Sequence, residues 1–351
     1  MAGALDKDIL RSEQMAVLVS GIASMGLEML AGRMIAPEFG SSVYTWGSII
    51  GVFMAALALG YHIGGKRARE HASDRALSNL LVLSALYVGL IMILSDFILQ
   101  IGATLPIGAR YASIIPVTIL FGPPTFLLGF ISPYAAQLST KKNKGEASGN
   151  VYAVGTFGSI VGTFLTTFVL IPYLSIGVIQ LLFAIFLILG AVYCIRRVGG
   201  FGEQLGFAAG SLLIISGAFA LQSVGAGSAV YQTQTPYQEL EIRDSGGVRT
   251  LYLNDQPQSS MYLNGSDAHV WDYTRYFHLP FLMADEKEDI DKVLFIGGGG
   301  FTGPKRFVND YNVTVDVVEI DPEVVDAAKR YFRVNESEKM RIHVMDGRKF
   351  L

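Results

Sequence analysis

Four consecutive glycines, Gly297, Gly298, Gly299 and Gly300, follow the apolar run 293–296 and precede Thr302-Gly303-Pro304. Gly298, Gly300 and Gly303 satisfy G-x-G-x-x-G, and a second β-branched run, 313–318, ends in Glu319. A glycine loop between a strand and a helix lets backbone N–H groups approach a ligand. A carboxylate roughly 20 positions on can accept both hydroxyls of a ribose. The chemistry implied is nucleoside binding. Glycines can also simply turn a chain, and Glu319 can be a solvated strand end. The preceding strand, and Pro304 suited to the first turn of a helix, favour the nucleoside reading. Asp321-Pro322 starts a second helix, 323–332, with Asp321 as its N-cap. A third strand, 341–345, ends at Asp346-Gly347-Arg348, where the carboxylate either accepts an adenine amino group or only forms a turn. No His, Asp or Glu grouping has metal-ligand spacing and no Ser or Cys nucleophile motif is present, so no metal is expected.

The elements that must carry these residues are a strand–helix–strand–helix–strand unit over 285–351, opened by an acidic linker, 285–291. Before it, residues 231–263 read as β structure. A hairpin pairs 237–243 with 249–253 around Ser245-Gly246-Gly247, and 254–261 continues the pattern. The aromatic-rich stretch 269–281 reads as helix.

Everything upstream has a different solvent. Of the 351 residues, 51% are hydrophobic and only 16% charged, too apolar for an ordinary soluble chain. Residues 1–224 carry 13 Lys/Arg and 10 Asp/Glu, and residues 225–351 carry 14 and 20. The acidic second part has no basic stripe, which excludes nucleic acid as an expected partner. One cysteine, Cys194, excludes an intrachain disulfide and a Cys-based zinc site. Residues 1–14 lack the short apolar core of a removable signal peptide.

Seven apolar segments near the roughly 20 residues needed to cross a bilayer fall at about 15–36, 43–65, 76–100, 111–138, 149–171, 174–195 and 205–223. The fourth is interrupted by Pro116 and Pro123-Pro124, and the seventh is the least hydrophobic. Lys7, Arg11, Lys66, Arg67, Arg69, Arg75, Lys141, Lys142, Lys144, Arg196 and Arg197 fall on one side, and only Arg110 on the other. That bias predicts a multi-pass cell-membrane protein in contact with lipid, its N-terminus cytoplasmic. Seven crossings would put the C-terminal part outside, whereas supply of an adenosyl cofactor argues for the inside, so its side stays open. Glu28 and Arg33 lie in the first segment and Asp96 near the end of the third. An intramembrane charge is either functional or a structural pair; Arg33 and Asp96 sit near span ends, leaving Glu28 as the deep one. Gly60-Tyr61-His62-Ile63-Gly64-Gly65-Lys66-Arg67 resembles the loop motif of major-facilitator carriers, and equally a plain topogenic loop.

With these residues in view, the soluble part resembles the spermidine synthase (polyamine aminopropyltransferase) family. Thr235-Pro236-Tyr237-Gln238, residues 253–258, His278-Leu279-Pro280, residues 293–299, 318–322 and Asp346-Gly347-Arg348 carry the likeness. The upstream part is similar to membrane-fused spermidine-synthase-like proteins through residues 26–37, 40–46, 60–65, 129–133 and 158–172. Tyr273-Thr274-Arg275 and Pro257-Gln258-Ser259 also look like the fused branch. The resemblance implies a multi-pass helical membrane domain (1–224), a small β domain (225–284) and a partial Rossmann-like, methyltransferase-type domain (285–351). It implies transfer of an aminopropyl group from decarboxylated S-adenosylmethionine to a diamine such as putrescine. Gln238 and Gln258 would line the nucleoside pocket beside the loop of Gly297, Gly298, Gly299 and Gly300, with Glu319 on the ribose and Asp346 on the adenine.

Three departures qualify it. The family's loop is Gly-Gly-Gly-Asp-Gly, and Gly300 stands where its Asp faces the transferable amine. The Tyr-His/Gln-Glu substrate motif is not recognisable, although Trp271-Asp272-Tyr273 sits nearby. The segment bearing the catalytic Asp is expected beyond Leu351, as in a fragment of a longer protein. Two alternatives stay open: a methyltransferase using intact S-adenosylmethionine, and a non-catalytic transporter or sensor whose soluble domain binds a nucleoside or polyamine. Homo-oligomerisation is left open as well.

Overall fold

The computed structural model describes residues 11–351 apart from 107, 109, 140–143, 197–200, 226–228, 255, 267, 284–289 and 312. Most of the acidic linker and of the segment 1–14, and the loop cations Lys7, Lys141, Lys142 and Arg197, lie outside the described residues. The chain divides into two compact units, Met1–Gly225 and Ala226–Leu351.

The first unit is helical: α1 Ser12–Phe39, α2 Val43–His71, α3 Asp74–Thr104, α4 Ile114–Gly129, α5 Ile131–Ser139, α6 Lys144–Leu165, α7 Ile171–Tyr173, α8 Ile176–Ile195 and α9 Phe201–Gly225. Ser42, Ser73 and Ser175 start α2, α3 and α8, each side chain accepting a first-turn N–H. Among the described residues six helices, not seven, are long and apolar enough to cross a membrane. The seventh segment forms a helix, α9, whose apolar stretch among the described residues is Ala209–Ala220. The fourth candidate is broken, though not at its proline pair. Pro123 and Pro124 lie within α4, and the interruption falls between Gly129 and Ile131. Pro133 has no N–H for the Gly129 carbonyl and its ring crowds that position. Pro172 has the same effect on Phe168, and a π-helical turn, Thr166–Leu170, precedes α7.

Helix α1 is the axis of this unit, packed against α2, α3, α5, α6 and α8. Its closest neighbour is α6. A Cβ on Gly162 would lie 2.3 Å from the Ile22 carbonyl oxygen, and one on Gly158 2.6 Å from that of Leu18. Glycine at these positions lets the two helix backbones come into contact.

The second unit holds two sheets. β1 Ala229–Gln234, β2 Glu239–Ser245, β3 Val248–Leu253 and β4 Gln256–Tyr262 form an antiparallel sheet in that order. The hairpin expected from residue 237 begins at Glu239. The Thr235 hydroxyl accepts the N–H groups of Tyr237 and Gln238, turning the chain before the ladder starts. Next come a 3₁₀ turn, Asp272–His278, and α10 Leu279–Met283, in place of the single helix expected over 269–281. Pro280 cannot donate to the Tyr276 carbonyl, and Leu279 N–H takes that carbonyl instead. β5 Lys292–Ile296, α11 Thr302–Tyr311, β6 Thr314–Glu319, α12 Pro322–Tyr331, β7 Met340–Val344 and α13 Gly347–Phe350 follow. β5, β6 and β7 are parallel with β6 central. Val315 and Val317 on β6, Phe301, Phe307, Phe332 and Val324, and Leu240, Ile242 and Leu251 from the first sheet share one buried cluster.

Candidate nucleoside site

The loop after β5 is fixed by three backbone events. Gly297 (φ 93°) and Gly299 (φ 50°) take left-handed conformations that side chains resist. Gly297 N–H donates to the Val318 carbonyl at 2.8 Å, carrying the β5–β6 pairing one residue past the strand. Glu319 then clamps the turn: its carboxylate accepts Gly298 N–H at 2.8 Å and Asp321 N–H at 3.1 Å. Glu319 is buried, and both oxygens keep a lone pair for further donors.

Asp321, with no exposed surface, caps α12 through Glu323 N–H and accepts the Thr235 hydroxyl at 2.7 Å. Gln238 donates its amide to the same carboxylate at 3.4 Å. This ties the start of β2 to the end of β6 through one buried anion.

A cavity of about 580 Å³ opens beside the loop. Of the residues expected at a nucleoside site, Gln258, Gly297, Gly298, Gly299 and Glu319 line it. Three do not. Gln238 is turned to Asp321. Asp346 caps α13 and is held by Arg348 at 2.6 Å, a pairing that pulls its carboxyl down to about 2. Gly300 faces protein rather than cavity: a Cβ there would lie 2.9 Å from Ser259 Cβ and 2.8 Å from the Phe332 ring. A side chain at residue 300 would have to displace Ser259 of β4 and Phe332.

The lining also has features the motifs did not announce. Lys305, Arg306 and Arg333 border the cavity, and Glu319 is its one carboxylate among the described residues. Lys305-Arg306 was visible in the sequence as a basic pair in the first turn of a helix, but Arg333 arrives only through the fold. Arg333 donates to the Leu263 carbonyl, and Arg306 pairs with Asp310 at 2.8 Å. Trp271 and Tyr273, stacked with centroids 5.9 Å apart, form an aromatic wall, while the intervening Asp272 pairs with Arg275.

Behind that wall runs a chain of hydrogen bonds. Thr274 hydroxyl donates to the Trp271 carbonyl and therefore accepts from His269 Nδ1 at 2.7 Å. His269 Nε2 meets His278 Nε2 at 3.1 Å, and His278 Nδ1 meets the Tyr311 hydroxyl at 2.8 Å. One assignment satisfies every member: His269 carries its proton on Nδ1, His278 on Nε2, and Tyr311 donates to His278. Both imidazoles are neutral in it. Burial and the nearby Arg306 depress both basicities, with Asp310 opposing.

Residues 275–351 match the model of the spermine/spermidine synthase domain. The C-terminal part of this chain is spermidine synthase-like. The polyamine aminopropyltransferase of Vibrio vulnificus is 27% identical over 135 residues, which cover 37% of this chain and 44% of that protein. The eEF1A lysine and N-terminal methyltransferase of Xenopus laevis is 40% identical over 57 residues, covering 16% of this chain and 8% of that protein. A probable spermidine synthase of Corynebacterium glutamicum, a solved structure, is 21% identical with a TM-score of 0.31, covering 35% of this chain and 46% of that one. This chain thus spans less than half the length of each of these relatives.

Proposed function

We propose that the second unit is a Rossmann-like domain that binds an S-adenosyl compound and transfers its aminopropyl group to a diamine such as putrescine. The observation that carries this reading is the Glu319 clamp. A carboxylate 21 positions beyond Gly298 is locked to that residue's N–H with lone pairs to spare, beside a cavity large enough for a nucleoside. In this reading Glu319 receives the ribose hydroxyls, Gln258 and the loop glycines border the nucleoside, and decarboxylated S-adenosylmethionine is the co-substrate. The first unit would be embedded in a bilayer through its six apolar helices. The reaction is displacement at a carbon next to a sulfonium, and the attacking amine must first lose a proton.

Methyl transfer from intact S-adenosylmethionine is the second reading, favoured by two observations. Gly300 packs where an acid would greet the aminopropyl amine, and three cations border the cavity against one carboxylate. Those cations suit the carboxylate that only intact S-adenosylmethionine bears. Calorimetric titration of the full-length protein with both compounds decides between them. Tighter binding of the decarboxylated form supports aminopropyl transfer, and tighter binding of the intact form replaces it with methyl transfer. In either case Glu319→Gln is expected to weaken binding by roughly 10- to 100-fold, the loss of about 1.5–3 kcal/mol from a charged hydrogen bond. Undiminished binding by Glu319→Gln would remove the ribose role.

A further inference from the structure

The helical unit contains a second cavity, of about 110 Å³, with room for roughly three or four waters at about 30 Å³ each. Ser20 and Ser24 of α1, Tyr61 of α2, Ser132 of α5, and Tyr152 and Ser159 of α6 line it, and among the described residues no charged side chain does. Gly21 and Gly155 lie at its edge, where a Cβ on Gly21 would meet the Gly155 carbonyl oxygen at 2.5 Å, so α1 and α6 touch through their backbones beside it. Exposure marks its mouth at Tyr61 (45%) and Tyr152 (69%) and its inner end at Ser24 (4%).

Helical serines ordinarily return their hydroxyl to the backbone, as Ser20 does to the Val17 carbonyl at 3.0 Å. Ser24 does not, and its hydroxyl has no hydrogen-bond partner among the described residues. It lies near the middle of α1, a helix long and apolar enough to cross a membrane. At that depth a pocket open at its side takes in either lipid tails or water. A tail offers neither donor nor acceptor and leaves the Ser24 hydroxyl unpaired. Water offers both, and the hydroxyls around the pocket supply the about two to four polar partners that a buried water needs. With no charge in the wall, nothing there calls for an ion.

We propose that this cavity is a water-filled pocket that reaches from the surface of the helical unit to Ser24, within the thickness of the bilayer. It rests on the reading of that unit as embedded in a bilayer, and is independent of the nucleoside cavity.

The test is X-ray radiolysis of the full chain in lipid nanodiscs. Ionised water yields hydroxyl radicals in place, and these oxidise a neighbouring methionine to its sulfoxide, which mass spectrometry reads peptide by peptide. Three methionines make the comparison. Met25 lines the pocket, Met54 is 65% exposed on α2 where lipid would cover it, and Met92 is 2% exposed and lines neither cavity. The expected result is oxidation of Met25 about tenfold faster than that of Met54 and of Met92, since access to water sets the rate. Ser24→Leu, which fills the inner end, should slow Met25 severalfold. Oxidation of Met25 as slow as that of Met92 would overturn the pocket, and a rate unchanged by Ser24→Leu would show that water reaches Met25 by another route and overturn it as well. Oxidation of Met54 as fast as that of Met25 would instead overturn the bilayer reading, and the proposal with it. The comparison among the three methionines uses the wild-type protein and does not depend on whether the Ser24 variant folds.

Discussion

The glycine loop and the interior of the helical unit hold some of their buried polar groups in different ways. Around the glycine loop, Glu319, Asp321 and Thr235 are deeply buried and each is answered by named donors or acceptors. In the helical unit, Ser24, Thr125, Thr166 and the Gln180 carbonyl oxygen are equally enclosed and have no partner among the described residues. Polar groups in the first setting hold backbone in place. In the second, Ser24 lines a cavity. A fully satisfied network rigidifies a fold, whereas an unpaired buried group is a penalty carried for some other reason.

That difference can be broken at the anchor of the satisfied network. Asp321→Ala removes a helix cap and leaves the Thr235 hydroxyl and the Gln238 amide facing an empty site. A loss of about 3 kcal/mol or more is expected. Thermal unfolding followed by Trp271 fluorescence in a Trp46→Phe background would read it, and an unchanged midpoint would show that the anchor is dispensable. Gly300→Asp should come next. Its side chain must displace Phe332 and Ser259, with destabilisation of about 1–3 kcal/mol by overpacking. If the variant instead folds normally and gains affinity for decarboxylated S-adenosylmethionine, the aminopropyl reading is sharpened despite the glycine.

A matched pair addresses the comparison directly. Thr235→Val strips the network of a donor and an acceptor and should cost about 1–3 kcal/mol. Thr125→Val deletes a buried hydroxyl with no partner among the described residues and should leave the midpoint unchanged or raise it. Equal losses in both would erase the distinction between the units. The smallest effect is expected from pH. Burial and Arg306 lower the basicities of His269 and His278 in the folded protein, so the unfolded chain binds more protons just below its ordinary imidazole value of about 6.5. Their stabilising contribution is complete above that value and declines as pH falls below it towards the depressed folded values. His278→Gln should flatten the dependence of the unfolding midpoint between pH 7.5 and pH 5, and an unaltered slope would assign the acid sensitivity elsewhere.

Much of this molecule was legible from local pattern. Strand–glycine–helix order, the Asp321 cap and the hairpin around Gly246 were readable because each depends on residues a few positions apart. The Pro133 break in the fourth apolar helix was misplaced onto Pro116 and Pro123-Pro124, which lie within α4, since a proline acts on the carbonyl four residues before it and can be accommodated elsewhere. Three of the eight expected pocket residues, Gln238, Gly300 and Asp346, were drawn away by partners that motif spacing does not reveal: Asp321, the Phe332 ring with Ser259, and Arg348.

The sequence by itself determined the division into an apolar helical part and an acidic α/β part, because composition and periodicity are local properties that select a solvent and a secondary structure. Only the tertiary structure decided what the charged and polar groups face. It closed Glu319 onto the loop, gathered Lys305, Arg306 and Arg333 around one cavity, and left the Ser24 hydroxyl without a partner among the described residues beside another. Those outcomes depend on distances between elements remote in the chain, set by packing rather than by the order of residues.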